Sequence, residues 1–249
     1  MRTVARLSWL ELKLFLRDPL TVVFSLALPV IILFVLGGVF GNEPARPHEE
    51  FVFRGEGAMD YYVPAYLALV VASVCVISIP THLAGNRERG VLKRYHASSV
   101  GVGAVAGAEV VVAFALSTVS AVLLLGAATL AYDFAAPRSV PGAIGAFVYV
   151  TAGFASLGLF LGAVLPNARA AQAAGMLIWF VMLFIGGAGP PPEVMTGGMQ
   201  TILKITPLWH AVKVMQDVWL GLDAGLSWLV VGTVLAVSAV LSLLFFRWE

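Results

Sequence analysis

Residues 86–95 read Asn-Arg-Glu-Arg-Gly-Val-Leu-Lys-Arg-Tyr and form the densest cluster of charge in a chain that is 60% hydrophobic. Long apolar stretches flank this cluster on both sides, so it is predicted to be a tight polar connection between two membrane-spanning helices. Gly90 is expected to end the first helix, because glycine adopts the left-handed conformation without a Cβ penalty. Residues 91–99 then fit a short second helix that carries Leu92 and Tyr95 as its apolar side chains.

Two interpretations of this charged segment remain open. A loop that only orients the flanking spans needs positive charge and no apolar side chains. A segment that binds a partner protein uses apolar side chains to fill a cleft, so we predict a coupling surface and keep simple anchoring as the alternative. The predicted coupling residues are Arg87, Glu88, Arg89, Gly90, Leu92, Lys93, Arg94 and Tyr95.

The composition indicates that lipid surrounds most of this chain. Only 12% of its 249 residues are charged, and a soluble domain could not bury so much apolar surface. Six stretches lack Asp, Glu, Lys, Arg and His, and each reaches the roughly 20 residues that cross a bilayer core. They are 19–42, 61–81, 110–132, 139–168, 170–192 and 224–246. We predict an all-α integral membrane protein with six transmembrane helices in one domain over residues 1–249.

The amino-terminal residues 1–18 are predicted to form an interfacial helix on one membrane face. Arg2, Arg6, Lys13 and Arg17 fall on one side of it, and apolar residues cover most of the remaining surface. Those cations could contact lipid headgroups or a partner protein, and both alternatives stay open.

The distribution of cations predicts the orientation of the spans. With the amino terminus inside the cell, ten of the 15 Lys and Arg residues fall on the cytoplasmic side and five on the outer side. This excess is the one that the positive-inside rule describes. We therefore expect both termini in the cytoplasm. The abundance of Ala, Val and Gly hints at a high-GC bacterium, and we expect the chain in a bacterial plasma (inner) membrane.

Three segments carry a resemblance to ABC-2 type transporter permeases, particularly the multidrug and daunorubicin-exporter-like branch. Residues 88–94 resemble that family's Glu-Arg-x-x-Gly-x-Leu cytoplasmic loop. Residues 60–64 (Asp-Tyr-Tyr-Val-Pro) resemble the entry to its second span, although Ala65 replaces the usual glycine. Residues 186–190 and 207–208 resemble its region between spans five and six.

The resemblance implies the membrane subunit of an ATP-driven exporter for hydrophobic or amphipathic molecules. It implies two cytoplasmic ATPase subunits that dock on residues 83–99, and a second permease copy or paralogue. A drug or a lipid fits an apolar path best, but polysaccharide exporters share this architecture, so the substrate stays open. Residues 97–99 replace the family's usual proline and leave the end of the short helix undefined.

Residues 188–221 are predicted to form a re-entrant helical hairpin on the outer side, because two short apolar helices there, 194–205 and 208–220, cannot cross a bilayer. Glu109 is a further candidate for a substrate-path or inter-subunit role, since a carboxylate at membrane depth is costly. Its position near the cytoplasmic boundary leaves contact with headgroup water as the alternative. Soft and aromatic side chains of span five can adapt to varied ligands, although each could equally contact lipid or pack. The predicted substrate-path and gate residues are Glu109, Met176, Trp179, Phe180, Phe184, Pro190, Pro207 and Trp209.

Several function classes lack their sequence signatures. The chain has no G-x-x-x-x-G-K-[ST] loop, so we expect no ATPase site of its own, no enzyme activity and no cofactor. A net charge of +1 argues against nucleic-acid binding, and the four histidines are scattered without metal-ligand spacing. A self-sufficient secondary transporter or channel is the alternative function; such proteins usually show internal repeats and several intramembrane charges.

Overall fold

A computed structural model describes residues 23, 27–41, 53 and 56–248. Within these residues the regular structure is helical and no strand occurs. The helices are α1 Leu28–Phe40, α2 Ala58–Glu88, α3 Val91–Ala97, α4 Val102–Ala131, α5 Val140–Val164, α6 Ala168–Ile185, α7 Gly197–Leu203, α8 Pro207–Leu220 and α9 Leu226–Leu244.

Five of these helices are long and apolar enough to cross a membrane: α2, α4, α5, α6 and α9. They correspond to predicted spans two to six. The predicted first span, 19–42, is described only in part, and α1 covers 13 apolar residues of it. The interfacial helix predicted over residues 1–18 lies outside the described residues.

Helix α2 is the centre of the bundle. The most apolar part of α2 is completely buried, whereas at most 50% of the corresponding part is buried in each of the other four spans. A helix that is apolar on all sides is stable only when other helices surround it, and α2 packs against α1, α4, α5, α6 and α8. At 1.5 Å per residue its 31 residues extend about 46 Å, so it connects both ends of the bundle.

The middle of α2 is a π-helical segment, Val74–Ser78. Two neighbouring spans approach its backbone at glycines: a Cβ on Gly158 of α5 would collide with the Cys75 carbonyl oxygen, and one on Gly175 of α6 would lie 2.5 Å from the Val76 carbonyl oxygen. Only glycine permits such close backbone contact. The two glycines therefore let α5 and α6 enclose the widened part of α2.

The segment between α6 and α9 folds back onto the bundle. Helix α7 is shorter than the predicted 194–205 helix, and α8 begins one residue before the predicted 208–220 helix. Helix α8 is about 21 Å long, less than a bilayer core. Leu208, Val212, Met215 and Trp219 form its buried face, which packs on α2, α5 and α9.

We expect Gly158→Ala to destabilise the protein by about 1–3 kcal/mol, because the new methyl group overpacks the contact with the Cys75 carbonyl. The matched control is Gly145→Ala on the same helix, where a Cβ meets nothing within 4 Å. Thermal unfolding in detergent, monitored by size-exclusion chromatography, should show a lower midpoint temperature for Gly158→Ala only. Equal midpoints would contradict the close packing of α5 on α2.

Candidate functional site

The charged segment forms a helix–turn–helix at one end of the bundle, here called the Arg87 end. Helix α2 continues to Glu88, so the first six residues of the predicted coupling segment 83–99 belong to it. Gly90 has φ +70°, which confirms the prediction that it leaves the helix in the left-handed conformation. Arg89 is exposed, and its Nη2 donates a hydrogen bond to Asn86 Oδ1 at 3.2 Å.

Arg87 binds the carboxyl-terminal end of α5. Its Nη1 donates to the carbonyl oxygens of Gly162 and Ala163 at 3.1 and 3.2 Å, and its Nη2 donates to the carbonyl oxygen of Leu165. The last carbonyls of a helix have no partner within the helix. Only 8% of Arg87 is exposed, so this side chain serves as a buried cap of α5.

Glu88 binds the amino-terminal end of the next span. Its Oε2 accepts a hydrogen bond of 3.2 Å from the backbone N–H of Ala168, the first residue of α6. A carboxylate is favourable there, because the helix dipole and the free N–H groups attract negative charge. Two consecutive residues therefore hold both ends of the 165–167 turn, and we call this pair the Arg87–Glu88 clamp.

Helix α3 is held to its own subunit by its apolar side chains. Leu92 has no exposed surface and Tyr95 is half-buried against the same core. The expectation that Leu92 fills a cleft in a partner does not fit this burial. Lys93 and Arg94 instead form the exposed face of α3.

An apolar cavity of about 590 Å³ lies at the opposite end of α2, between α1, α2 and α6. We call it the aromatic cavity, since six of its side chains are aromatic. Its lining residues are Leu28, Ile32, Leu36, Phe40, Phe53, Tyr62, Tyr66, Phe180, Leu183, Phe184, Gly189, Pro190, Pro191 and Val194.

Two tyrosines of α2, Tyr62 and Tyr66, line this cavity and carry buried hydroxyl groups. The Tyr62 hydroxyl donates to the Gly189 carbonyl oxygen at 3.1 Å and ties the segment after α6 to α2. The Tyr66 ring stacks on Tyr62 with centroids 5.7 Å apart. Its hydroxyl is buried and has no hydrogen-bond partner among the described residues. Such a buried hydroxyl costs free energy unless a ligand or water satisfies it.

The structure brings some of the predicted path residues together. Phe180, Phe184 and Pro190 line the aromatic cavity. Trp179, also on α6, is fully buried and is not among the residues that line the cavity, and Met176 packs against the core.

The other predicted path residues lie elsewhere. Glu109 is 2% exposed on the buried side of α4, so it does not reach headgroup water, and it is not among the residues that line the cavity. Pro207 is the first residue of α8. Trp209 packs on Gly187, where a Cβ would lie 2.7 Å from the indole ring. Gly187 also has φ +79°, so only glycine fits at this position.

Sequence reasoning did not select Tyr62 and Tyr66 as site residues. Their i, i+4 spacing places both on one side of a helix, and Tyr62 lies within residues 60–64, which resemble the entry to the family's second span. That spacing was the available signal. What it could not show is that Gly189 of the segment after α6, 127 residues away, accepts a hydrogen bond from Tyr62.

Comparison with known proteins decides the family. Residues 3–220 match the family described as ABC-2 type transporter. The chain belongs to this family. It is also 26% identical over 253 residues to the daunorubicin resistance ABC transporter permease protein DrrB1 of Streptomyces coeruleorubidus, and the match covers 96% of this chain and 84% of that protein. The chain is therefore the membrane subunit of a transporter, in a family whose members work with separate ABC ATPase subunits.

The two tyrosine hydroxyls should respond differently to removal. We expect Tyr66→Phe to leave the free energy of unfolding unchanged or raise it, because it removes a buried hydroxyl without a described partner. Tyr62→Phe should loosen residues 186–194 by removing the bond to Gly189. Hydrogen–deuterium exchange should show faster exchange in that segment for Tyr62→Phe alone. Faster exchange of residues 186–194 in both variants would contradict the assignment of the Gly189 hydrogen bond to Tyr62 alone.

Proposed function

We propose that this chain is the membrane-spanning subunit of an ATP-binding cassette exporter that moves a hydrophobic or amphipathic molecule outward. Two ATPase subunits on the cytoplasmic side hydrolyse ATP, and a second permease copy or paralogue completes the transmembrane part. The transported molecule enters the aromatic cavity, and the segment between α6 and α9 closes the outer side as a re-entrant gate.

The observation that carries this proposal is the connection of the clamp to the cavity through one helix. Helix α6 begins at Ala168, which Glu88 binds, and its last turns carry Phe180 and Phe184 on the cavity wall. Its 18 residues make a rigid rod about 27 Å long. A displacement applied at the Arg87 end therefore reaches the cavity directly.

Helix α3 is the contact that we propose for the ATPase. Lys93 and Arg94 are exposed on it, and Arg89 lies in the preceding turn. Exposed cations attract and orient an acidic partner surface. Leu92 fixes α3 to the subunit core, so a partner that displaces α3 also displaces the Arg87–Glu88 clamp.

The lining of the aromatic cavity favours a drug or lipid over a glycan. Nearly all of its surface is carbon, and aromatic rings of α1, α2 and α6 surround it. Flat aromatic molecules gain stacking energy from such rings, whereas sugar hydroxyls would lose hydrogen bonds to water. The name of the DrrB1 permease links that relative to daunorubicin resistance, and we propose an aromatic drug of this kind as the first substrate to test.

Cytoplasmic placement of both termini remains the orientation that we propose, from the excess of cations at the Arg87 end. A cysteine at position 198 should react with an impermeant maleimide added to intact cells, and a cysteine at position 93 should react only after the cells are opened. Labelling of position 93 from outside would reverse the orientation and exclude ATPase contact with α3.

Transport in inside-out vesicles tests the function itself. With the chain and its ATPase subunit in the membrane, daunorubicin uptake should require ATP and persist when the proton gradient is dissipated. Uptake without the ATPase subunit, driven by a proton gradient, would instead support the self-sufficient secondary transporter. No uptake of any tested apolar drug or lipid under either condition would contradict export through the aromatic cavity.

The variant Glu88→Ala separates coupling from assembly in the same vesicles. It should reduce drug uptake per ATP hydrolysed about fivefold, because it removes one solvent-exposed hydrogen bond, worth about 1 kcal/mol. Glu88→Gln keeps an oxygen acceptor and is the matched control, with a smaller loss expected. Wild-type coupling in Glu88→Ala, at equal membrane abundance, would show that the clamp does not transmit the ATPase movement.

A further inference from the structure

The hydroxyl of Tyr66 is a buried hydrogen-bond donor beside the aromatic cavity. Tyr66 has no exposed surface, it lines the cavity, and its hydroxyl has no hydrogen-bond partner among the described residues. A phenol carries one donor proton, and a buried donor without an acceptor costs free energy. Buried polar groups without partners are rare in native proteins, so this hydroxyl requires an explanation.

Two neighbouring tyrosines show what the same group does about one turn earlier on α2. The Tyr61 hydroxyl donates to the Gly187 carbonyl oxygen at 3.4 Å, and the Tyr62 hydroxyl donates to the Gly189 carbonyl oxygen at 3.1 Å. Tyr66 lies about 6 Å further along the helix axis than Tyr62. Two of the three hydroxyls thus hold the segment after α6 on α2, and the third has no acceptor in the part of the chain that the structure describes.

The rest of the cavity wall offers no polar side chain that could serve as this acceptor. Apart from Tyr62 and Tyr66, the described residues that line the cavity are leucine, isoleucine, valine, phenylalanine, proline and glycine. None of these side chains is charged. A charged ligand group would therefore lose its hydration without gaining a counter-charge from this wall, which is costly. A neutral acceptor avoids that cost.

The cavity is large enough for a ligand that reaches this hydroxyl. Its volume of about 590 Å³ falls in the range of small-molecule pockets. The hydroxyl itself is covered, so binding requires side chains of the wall to change rotamer, as commonly happens when complexes form. Phe184, on the α6 side of the cavity, is 60% exposed and has room for such a change.

We propose that the aromatic cavity selects flat apolar molecules that carry a neutral carbonyl group, and that Tyr66 donates its hydroxyl proton in a hydrogen bond to the carbonyl oxygen. Tyr61 and Tyr62 bind carbonyl oxygens in the same way. An aromatic ketone or quinone belongs to this class, whereas a pure hydrocarbon lacks the acceptor. This inference rests on the proposed function in taking the aromatic cavity as the substrate site. Because it concerns binding, it is tested without ATP and without an ATPase subunit.

Three ligands of nearly the same shape test the proposal: fluorenone carries a carbonyl, fluorene a methylene and carbazole an N–H donor. Equilibrium dialysis measures their binding to the full chain in nanodiscs, and empty nanodiscs give the reference for partition into lipid. The wild-type chain should bind fluorenone about fivefold more tightly than fluorene or carbazole, as expected for one net hydrogen bond. Tyr66→Phe should bind all three alike and should keep the wild-type affinity for fluorene.

Tyr61→Phe is the matched control, because it removes a tyrosine hydroxyl from the same buried helix at a position that does not line the cavity. It should keep the preference for fluorenone. No binding or equal affinities in the wild type, a preference for carbazole, or equal weakening of all three ligands in Tyr66→Phe would overturn the proposal. Loss of the fluorenone preference in Tyr61→Phe would overturn it as well.

The binding result is separable from the transport result. ATP-driven drug uptake by a chain without a preference for fluorenone would overturn the carbonyl selectivity alone. A preference for fluorenone that depends on Tyr66, in a chain without ATP-driven uptake, would support this ligand class and contradict export.

Discussion

The ends of membrane helices carry backbone groups that must find partners, and this requirement organises the Arg87 end of the bundle. The final carbonyls of α5 and the first N–H of α6 need a donor and an acceptor respectively. Arg87 and Glu88 supply one each from adjacent positions on a third helix. Because these bonds join α5 and α6 to α2, a displacement of the charged segment would strain or break them. A loop selected only for its positive charge would not have this property.

Central burial of α2 explains why the aromatic cavity and the Arg87–Glu88 clamp lie towards opposite ends of the same helix. The most apolar part of α2 is completely buried among the other helices. Its first turns present Tyr62 and Tyr66 to the aromatic cavity, and its last residue pair is the clamp. The surrounding spans face lipid on their outer sides, where many large apolar side chains are exposed. One buried helix thus separates the apolar site at Tyr66 from the charged pair that begins at Arg87 by about 32 Å along its axis.

Most of the helical layout could be predicted from the sequence, because uncharged length is a local property. Five predicted spans match helices, and Gly90 ends its helix as expected. Partners across the fold could not be predicted in this way. Leu92 has the same apolar pattern whether it enters a partner's cleft or its own core, and the sequence does not show which group Glu88 binds. The Ala168 N–H lies 80 residues away, beyond the reach of any periodicity.

The burial of Cys75 has a practical consequence for chemistry on this protein. It is the one cysteine in the sequence, it has no exposed surface, and its backbone is enclosed by the glycines of α5 and α6. Thiol reagents react with the thiolate, which must be reached from solvent. The natural chain therefore gives no background labelling when thiol reagents are added. Spin labels, fluorophores and crosslinkers can be attached to single engineered cysteines without first altering the centre of the bundle, where even a methyl group would disturb the packing.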